Sequence, residues 1–353
     1  MNRKKLYLLG IAIVMLFSCL TLDKNVRYVR PAQINIPQNI KTFAIITSGQ
    51  RFGNDMYNIL LTSFSSQVVQ QRFSLIDRAN IERIIQEQRL YNTDFFDENT
   101  VVEIGSLAGA QAIIFGEISN IREQSRNGRV VINRRYVVDQ KPDSQGRMQN
   151  VYEYRDEQIN SQIREYSYNI TLKIIDAARG TVIHSSMQPL NYVYETYVKP
   201  ENTVMIKSSN GTFVAQFPSL NQVVIGDTQR LTENFTKDVA PHYGTRIIRF
   251  QRISMDRINE TFIKLVDRDL YEEAFQLMTD SLDYINTLKP EDKAIHLYNL
   301  GNVYEIRGAY DQALDCYQQA TRLNPTDLHT TALRTIRIRI EEERRLNDQI
   351  NNG

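Results

Sequence analysis

Short apolar runs alternate with amphipathic stretches over the first two-thirds of the chain. KTFAIIT, Lys41 to Thr47, is a nearly continuous apolar run and predicts a buried strand. A loop, SGQRFG, follows, and either Asn54 or Asp55 is placed to cap a helix running to about Gln71. That helix gathers Met56, Ile59, Leu60, Phe64 and Val68 on one face. RFSLIDR, Arg72 to Arg78, alternates as a second strand, and ANIERIIQEQRL is an amphipathic helix with Ile81, Ile84 and Ile85 inward. TVVEIGSLAG, entered from Asp97, reads as a helix that leads into the strand AQAIIFGEISNI, Ala110 to Ile121. After a long polar insertion, YSYNITLKIIDAA and GTVIHSSM predict two strands joined by a tight turn at Ala178 to Gly180. A final helix lies around Asp227 to Val239. This order predicts an α/β fold, a mixed sheet flanked by helices.

The carboxy-terminal third changes to a helical period and predicts an all-α module over 254–328. KAIHLYNLGNVYEIRGAYDQALDCYQQATRLNPTD, Lys293 to Asp327, resembles a tetratricopeptide repeat. Leu297, Leu300, Gly301, Tyr304, Gly308, Tyr310, Ala313, Tyr317, Ala320 and Pro325 fall at its signature spacings. Gly301 and Ala313 are small where two helices cross closely, Tyr317 and Ala320 face the next helix, and Pro325 stops the second helix. RDLYEEAFQLMTDSLDYI echoes RGAYDQALDCYQQATRL at a spacing of about 39 rather than the usual ~34, a degenerate repeat with an enlarged turn. The charged stretch from Thr330 to Asp348 predicts a solvent-facing capping helix within 329–353. Two repeats are fewer than the roughly three that stand alone, so they are expected to lean on the first domain. On the first helix of the clear repeat, Ile295, Tyr298, Asn302 and Glu305 fall on the face where such repeats bind a partner; the alternative for them is plain surface exposure. They lack a Lys/Asn set for a terminal carboxylate, so the expected contact is apolar and aromatic-assisted.

The amino terminus adds an address. Arg3, Lys4 and Lys5 precede an apolar run from Leu6 to Phe17, a signal-peptide pattern too short to span a membrane as a helix. It ends Leu16-Phe17-Ser18-Cys19, which resembles the bacterial lipoprotein box. That resemblance implies cleavage of 1–18, acylation of Cys19, and a tether over 19–38, where Pro31 and Pro37 lie. The competing reading is a chance cysteine in an uncleaved anchor. Leu20 after the cysteine favours the outer membrane by analogy with enteric sorting, with the protein facing the periplasm. Cys316, the other of two cysteines, has no partner in the mature chain, so no internal disulfide is expected. A net charge of +1 gives no bias toward nucleic acid. Aromatic packing must rest on 19 Tyr and 14 Phe, because Trp is absent.

FSLIDRANIERIIQEQRL, then Leu107-Ala108-Gly109-Ala110-Gln111-Ala112 leading into IIFGEIS, then LKIIDAARGTVIHSS, resemble in that order the curli secretion-channel lipoprotein family. The similarity covers about 40–250, and 39–250 is the expected domain. Gln111 stands where an acidic residue is usual, and Ala178-Arg179-Gly180 replaces a Thr-Gly turn. The resemblance implies envelope location and a possible homo-oligomer. If it holds fully, two hairpins per subunit assemble a transmembrane barrel. The first insertion, about 122–165, opposes this: 16 of its 44 residues are charged, and its best face, Val130, Ile132, Arg134, Tyr136, Val138, carries an arginine. A solvated hairpin or a long flexible arm is expected there. In the second, Leu190, Tyr192, Tyr194, Thr196 and Val198 alternate well enough for one membrane hairpin, although Pro200 interrupts it.

No catalytic chemistry is expected. The four histidines have no metal spacing, no nucleophile elbow is present, and SGQRFG lacks the Lys-Ser/Thr pair of a phosphate loop. Asp77-Arg78 reads as a strand-end cap and surface charge pair, and Gly105-x-x-x-Gly109 as a close helix–sheet contact. No cofactor or metal is implied. The expected role is a lipid-anchored, non-enzymatic scaffold or regulator that binds envelope proteins or peptides, similar in plan to lipoprotein activators of cell-wall synthases. The alternative is a secretion channel of the curli-export type.

Overall fold

The computed structural model describes residues 21–48, 51–79, 81, 83, 98–198 and 204–351. The expected helix residues Ile84 and Ile85, the helix entry at Asp97, and Cys19 lie outside them. The chain forms two compact units, one of residues 33–239 and one of residues up to 32 with those from 240 onward.

In the first unit lies a mixed sheet. β2 (Thr42–Ser48) is parallel to both β3 (Ser74–Leu75) and β4 (Ala112–Pro142). β5 (Met148–Asp176), β6 (Val182–Val198), β7 (Val204–Ser208) and β8 (Phe213–Val214) continue antiparallel. The unbroken apolar run of β2 is buried because parallel strands are covered on both faces. On one face Ala44, Ile46, Ile113, Phe115 and Ile175 pack with Ile104 of the helix Glu98–Leu107. Gly105 of that helix has no room for a side chain, since a Cβ there would meet Ile113 Cδ1 at 2.4 Å. The helix ends at Gly109, φ +73. On the other face Gly116 of β4 lets Met56 and Leu60 of the helix Gly53–Phe64 come close, each 2.9 Å from a hypothetical Cβ. That helix stops at Phe64, and a short turn at Gln67–Gln70 follows, so it is shorter than expected. Neither Asn54 nor Asp55 caps it; the preceding residue is Phe52, buried in the core, so packing and not a side-chain cap sets the start.

The turn after β5 is fixed by Asp176, whose carboxylate accepts the N–H groups of Ala178 and Arg179 at 2.9 and 3.0 Å, with Gly180 at φ +66. The helix Leu220–Val239 is longer than expected and is pinned to the sheet through Asp227. Tyr168 and Tyr192 hydroxyls both donate to Asp227 Oδ2 at 2.6 Å, and Arg230 donates to Oδ1 at 2.8 Å. Burial, then the bond to Asp227, pushes Tyr168 well above the usual tyrosine range and Tyr192 up to about 12.

The second unit departs most from the sequence reading. Residues 21–30 are not a tether: they form β1 (Thr21–Arg30), paired antiparallel over its whole length with β9 (His242–Gln251), from Thr21↔Gln251 to Arg30↔His242. The expected domain end at 250 therefore moves back to 239, because β9 joins the helical unit. Local pattern hides this pairing, since its partners stand more than 200 positions apart. Within this unit the repeats lean on the β1–β9 pair: Leu22, Val26, Ile248 and Phe250 join one core with Phe262, Ile263, Val266, Ala274 and Met278.

The helices are Arg257–Asp267, Tyr271–Asp280, Leu282–Thr287, Pro290–Ile306, Tyr310–Leu323 and Asp327–Asn351. The signature residues pack as the repeat requires. A Cβ on Gly301 would meet Tyr317 Cε1 at 2.7 Å, Ala313 and Ala320 are fully buried, Leu300 is buried, and Gly308 turns at φ +75. Tyr304 meets Phe275 edge-on at 5.1 Å, and Pro325 follows the end of its helix at Leu323. The last helix is less solvent-facing than its charge suggests: Ala332 and Ile336 pack with Tyr298 and Tyr317, and Arg339 is buried against Tyr310 and Glu342.

Candidate functional site: the repeat groove and the projecting ribbon

The helix Pro290–Ile306 turns a row of polar side chains toward β9. Asn299 grips Gln251 on both sides, donating from Nδ2 to its carbonyl at 2.8 Å and accepting its N–H at 2.9 Å. Two residues back along β9, the Arg249 carbonyl accepts from Asn302 Nδ2 at 2.8 Å and from the Tyr298 hydroxyl at 2.7 Å. Glu305 pairs with Arg246 and accepts from the Tyr317 hydroxyl at 2.9 Å; Tyr317 also donates to Asn302 Oδ1 at 2.7 Å. Asn259 adds a bond from Nδ2 to the Gln251 carbonyl at 3.2 Å. Burial pushes Tyr298 up to about 12 and raises Glu305, against the pull of Arg246 and Tyr317.

Three of the four expected partner residues, Tyr298, Asn302 and Glu305, are thus engaged by the chain's own strand. Ile295 is half-buried. The contact they make within the chain is polar, with amides and a hydroxyl bonded to main-chain groups of an extended segment. Asn299 escaped the sequence reading. Its signal was an asparagine beside Tyr298 and three residues before Asn302 on a helix otherwise rich in apolar residues.

Two buried histidines lie at the Gln251 end. His296 Nε2 is 2.8 Å from Asp256 Oδ2, and His329 Nε2 is 2.8 Å from Gln251 Oε1. Burial opposes ionisation of Asp256, but the Asn259 N–H and His296 outweigh it and hold the carboxyl below its usual range. Burial lowers His329, against its bond with the Asn324 carbonyl. Burial also pushes the free Cys316 thiol up to about 12, so it stays protonated.

The insertion at 122–165 is a hairpin and not a flexible arm. A register shift between Ser119 and Arg122, with Asn120 at φ +54, marks where β4 leaves the body of the sheet. β6 accompanies β5 as far as Ile163↔Glu195; beyond it β4 and β5 pair alone from Asn127↔Gln162 to Pro142↔Met148. That two-stranded ribbon is roughly 50 Å long at about 3.3 Å per residue. Both its faces are charged. One carries Arg134 3.1 Å from Glu157, Tyr136 bonded to Glu157, and Arg155 bonded to Glu153. The other carries Asn133 bonded to Asp156 at 2.9 Å and Arg135 4.1 Å over the Tyr152 ring. Val131, Val137 and Tyr154 are exposed among them.

The second expected membrane hairpin is corrected. Tyr192 is bonded to Asp227, Tyr194 is buried 5.9 Å from Tyr166, and Thr196 accepts the Gln162 N–H at 2.9 Å. The alternation belongs to a face packed on protein. No described helix is long and apolar enough to cross a membrane, which says nothing of strands.

A cleft of about 620 Å³ lies between Tyr57, Leu61, Phe73 and Ile76, with Asp77 and Arg78 at its wall. Asp77 accepts the Ala79 N–H at 3.4 Å, and Arg78 donates to Asn54 at 2.9 Å while stacking on Tyr57. These are structural tasks.

Residues 46–187 match the family model described as curli production assembly/transport component CsgG, and residues 294–327 match the tetratricopeptide repeat. The chain carries a CsgG-family domain and a tetratricopeptide repeat. The CsgG match runs from the end of β2 to the start of β6 and includes the whole projecting ribbon. No curated protein matches the chain. Among solved structures, the LpoB C-terminal domain from Salmonella enterica is similar at 11% identity and a TM-score of 0.25, over 42% of this chain and 82% of that one. The PelC dodecamer from Paraburkholderia phytofirmans is similar at 8% identity and a TM-score of 0.24, over 62% of this chain and 96% of that one.

Proposed function

We propose that this is a lipid-anchored cell-envelope protein that works without catalysis, as a scaffold or regulator contacting other polypeptides. Cys19 is its acylated residue, and the protein faces the periplasm from the outer membrane. The CsgG-family match supports the envelope address, and the tetratricopeptide repeat supports protein–protein contact. The observation that carries the reading is the charge on both faces of the ribbon. Two strands alone are marginal in water, and an exposed ribbon bearing Val131, Val137 and Tyr154 between ion pairs suits a protein surface better than lipid. Because β9 fills the repeat groove, the ribbon is the element offered to partners.

The second reading is an oligomeric export channel, favoured by the CsgG match and by the ribbon's length. Against it, an arginine at the bilayer midplane costs about 2–4 kcal/mol, and no face of this ribbon avoids one. A crosslinking pull-down of the anchored full chain, with Cys19→Ser as control, tests both. A scaffold brings down other envelope polypeptides, and its Cys19→Ser form is released as a monomer. An SDS-resistant, ring-sized oligomer of this chain alone overturns the scaffold.

A further inference from the structure

We infer that the turn after β9 is a membrane-contact surface, on which Met255, flanked by Arg252 and Arg257 and joined by Tyr284, rests against an anionic bilayer. This rests on the reading of Cys19 as the lipid anchor. Cys19 stands two residues before β1, at most about 7 Å along an extended chain. Thr21 pairs directly with Gln251, a separation of about 5 Å, and Met255 follows four residues later. No slack intervenes, because β1 is held to β9 over its whole length. The acyl chains therefore deliver this end of the helical unit to the lipid surface.

The chemistry of the turn fits that position. Met255 is 92% exposed, the most open of the large apolar side chains among the described residues, and sits at φ +63, where a side-chain-bearing residue is held at some cost. Among the described residues of the unit, the apolar clusters around Phe262 and Tyr317 do not include it. Arg252 and Arg257 beside it are exposed. Asp256 between them is withdrawn, buried against His296, so the turn presents cations and a thioether. Tyr284, 42% exposed, approaches the same Asp256 at 3.5 Å. Apolar and tyrosine side chains among arginines are the composition of an interfacial anchor. Glu260 and Asp283 are the nearest exposed acids in sequence, and Asp292 is close enough for its charge to act on Tyr284.

The test uses the full chain, purified with its leader processed, weighed by intact-mass spectrometry, and reconstituted in phosphatidylethanolamine–phosphatidylglycerol vesicles. Met255→Cys carries an environment-sensitive fluorophore; Thr245→Cys, exposed and paired with Arg27 further along the ribbon, is the control. The unsubstituted protein checks that buried Cys316 does not label. The expected result is acyl mass on the chain, a blue shift with quenching by tail-nitroxide lipids at 255, and neither at 245. An acylated protein whose label at 255 is as water-exposed as that at 245 overturns the contact and leaves the lipid anchor standing. A chain without acyl mass overturns both.

Discussion

Asn302 donates to the backbone carbonyl of Arg249 at 2.8 Å, joining a repeat helix to a strand 53 positions earlier in the chain. With Asn299 on Gln251, it makes the groove of the repeat a cradle for the protein's own main chain. Asn299→Ala leaves the Gln251 N–H without its partner, an expected cost of about 1–3 kcal/mol, and Asn302→Ala removes one of the two donors to the Arg249 carbonyl, an expected cost of about 0.5–1.5 kcal/mol. Denaturant unfolding of the full chain measures this; a loss below about 0.5 kcal/mol at both positions contradicts a filled groove.

Removing residues 21–30 is expected to be severe, although they read as a tether. It bares the edge of β9 and strips Leu22 and Val26 from the core they share with Phe250 and Phe262. Aggregation or loss of the cooperative transition is the expected outcome, read by circular dichroism and light scattering. Unchanged unfolding of the truncated chain rules out the pairing.

Gly301 is a packing requirement. Gly301→Val drives methyl groups into Tyr317 and Cys316, with an expected destabilisation of about 1–3 kcal/mol. Gly308→Ala, at φ +75 in open space, strains only the backbone and is expected to cost about 1 kcal/mol. A reversal of that order in thermal unfolding is inconsistent with the crossing described.

The pH dependence follows from His329. Its folded pKa is lowered by burial, so below its ordinary value of 6.5 the unfolded chain takes up a proton that the folded chain refuses. Its contribution to stability is full above that value and is lost as pH falls through the folded pKa. His329→Gln is expected to flatten the slope of stability below pH 6.5. A slope that survives the substitution assigns the effect elsewhere.

Much of this fold is written locally. The run Phe43 to Ile46, the close contact at Gly105 and the spacing from Leu300 to Ala320 are legible because their partners lie nearby or because a period states them. β1 is not legible that way: TLDKNVRYVR is mostly polar, and only its ladder with β9 makes it a strand. The groove residues were legible as a face, since Tyr298, Asn302 and Glu305 do share one side. What fills that face depends on a long-range pairing that no local pattern reports. The Tyr192–Tyr194 alternation misled for a related reason, because a strand packed on Asp227 and Tyr166 has the same period as one packed on lipid.

On this reading the charged ribbon, and not the repeat groove, meets partners. The most direct measurement replaces Tyr154, exposed on the ribbon, with a photo-crosslinking residue in the anchored protein in intact cells. Adducts that join this chain to other envelope polypeptides are the expected result. Adducts confined to further copies of this chain, or a side chain shielded by lipid alone, contradict it.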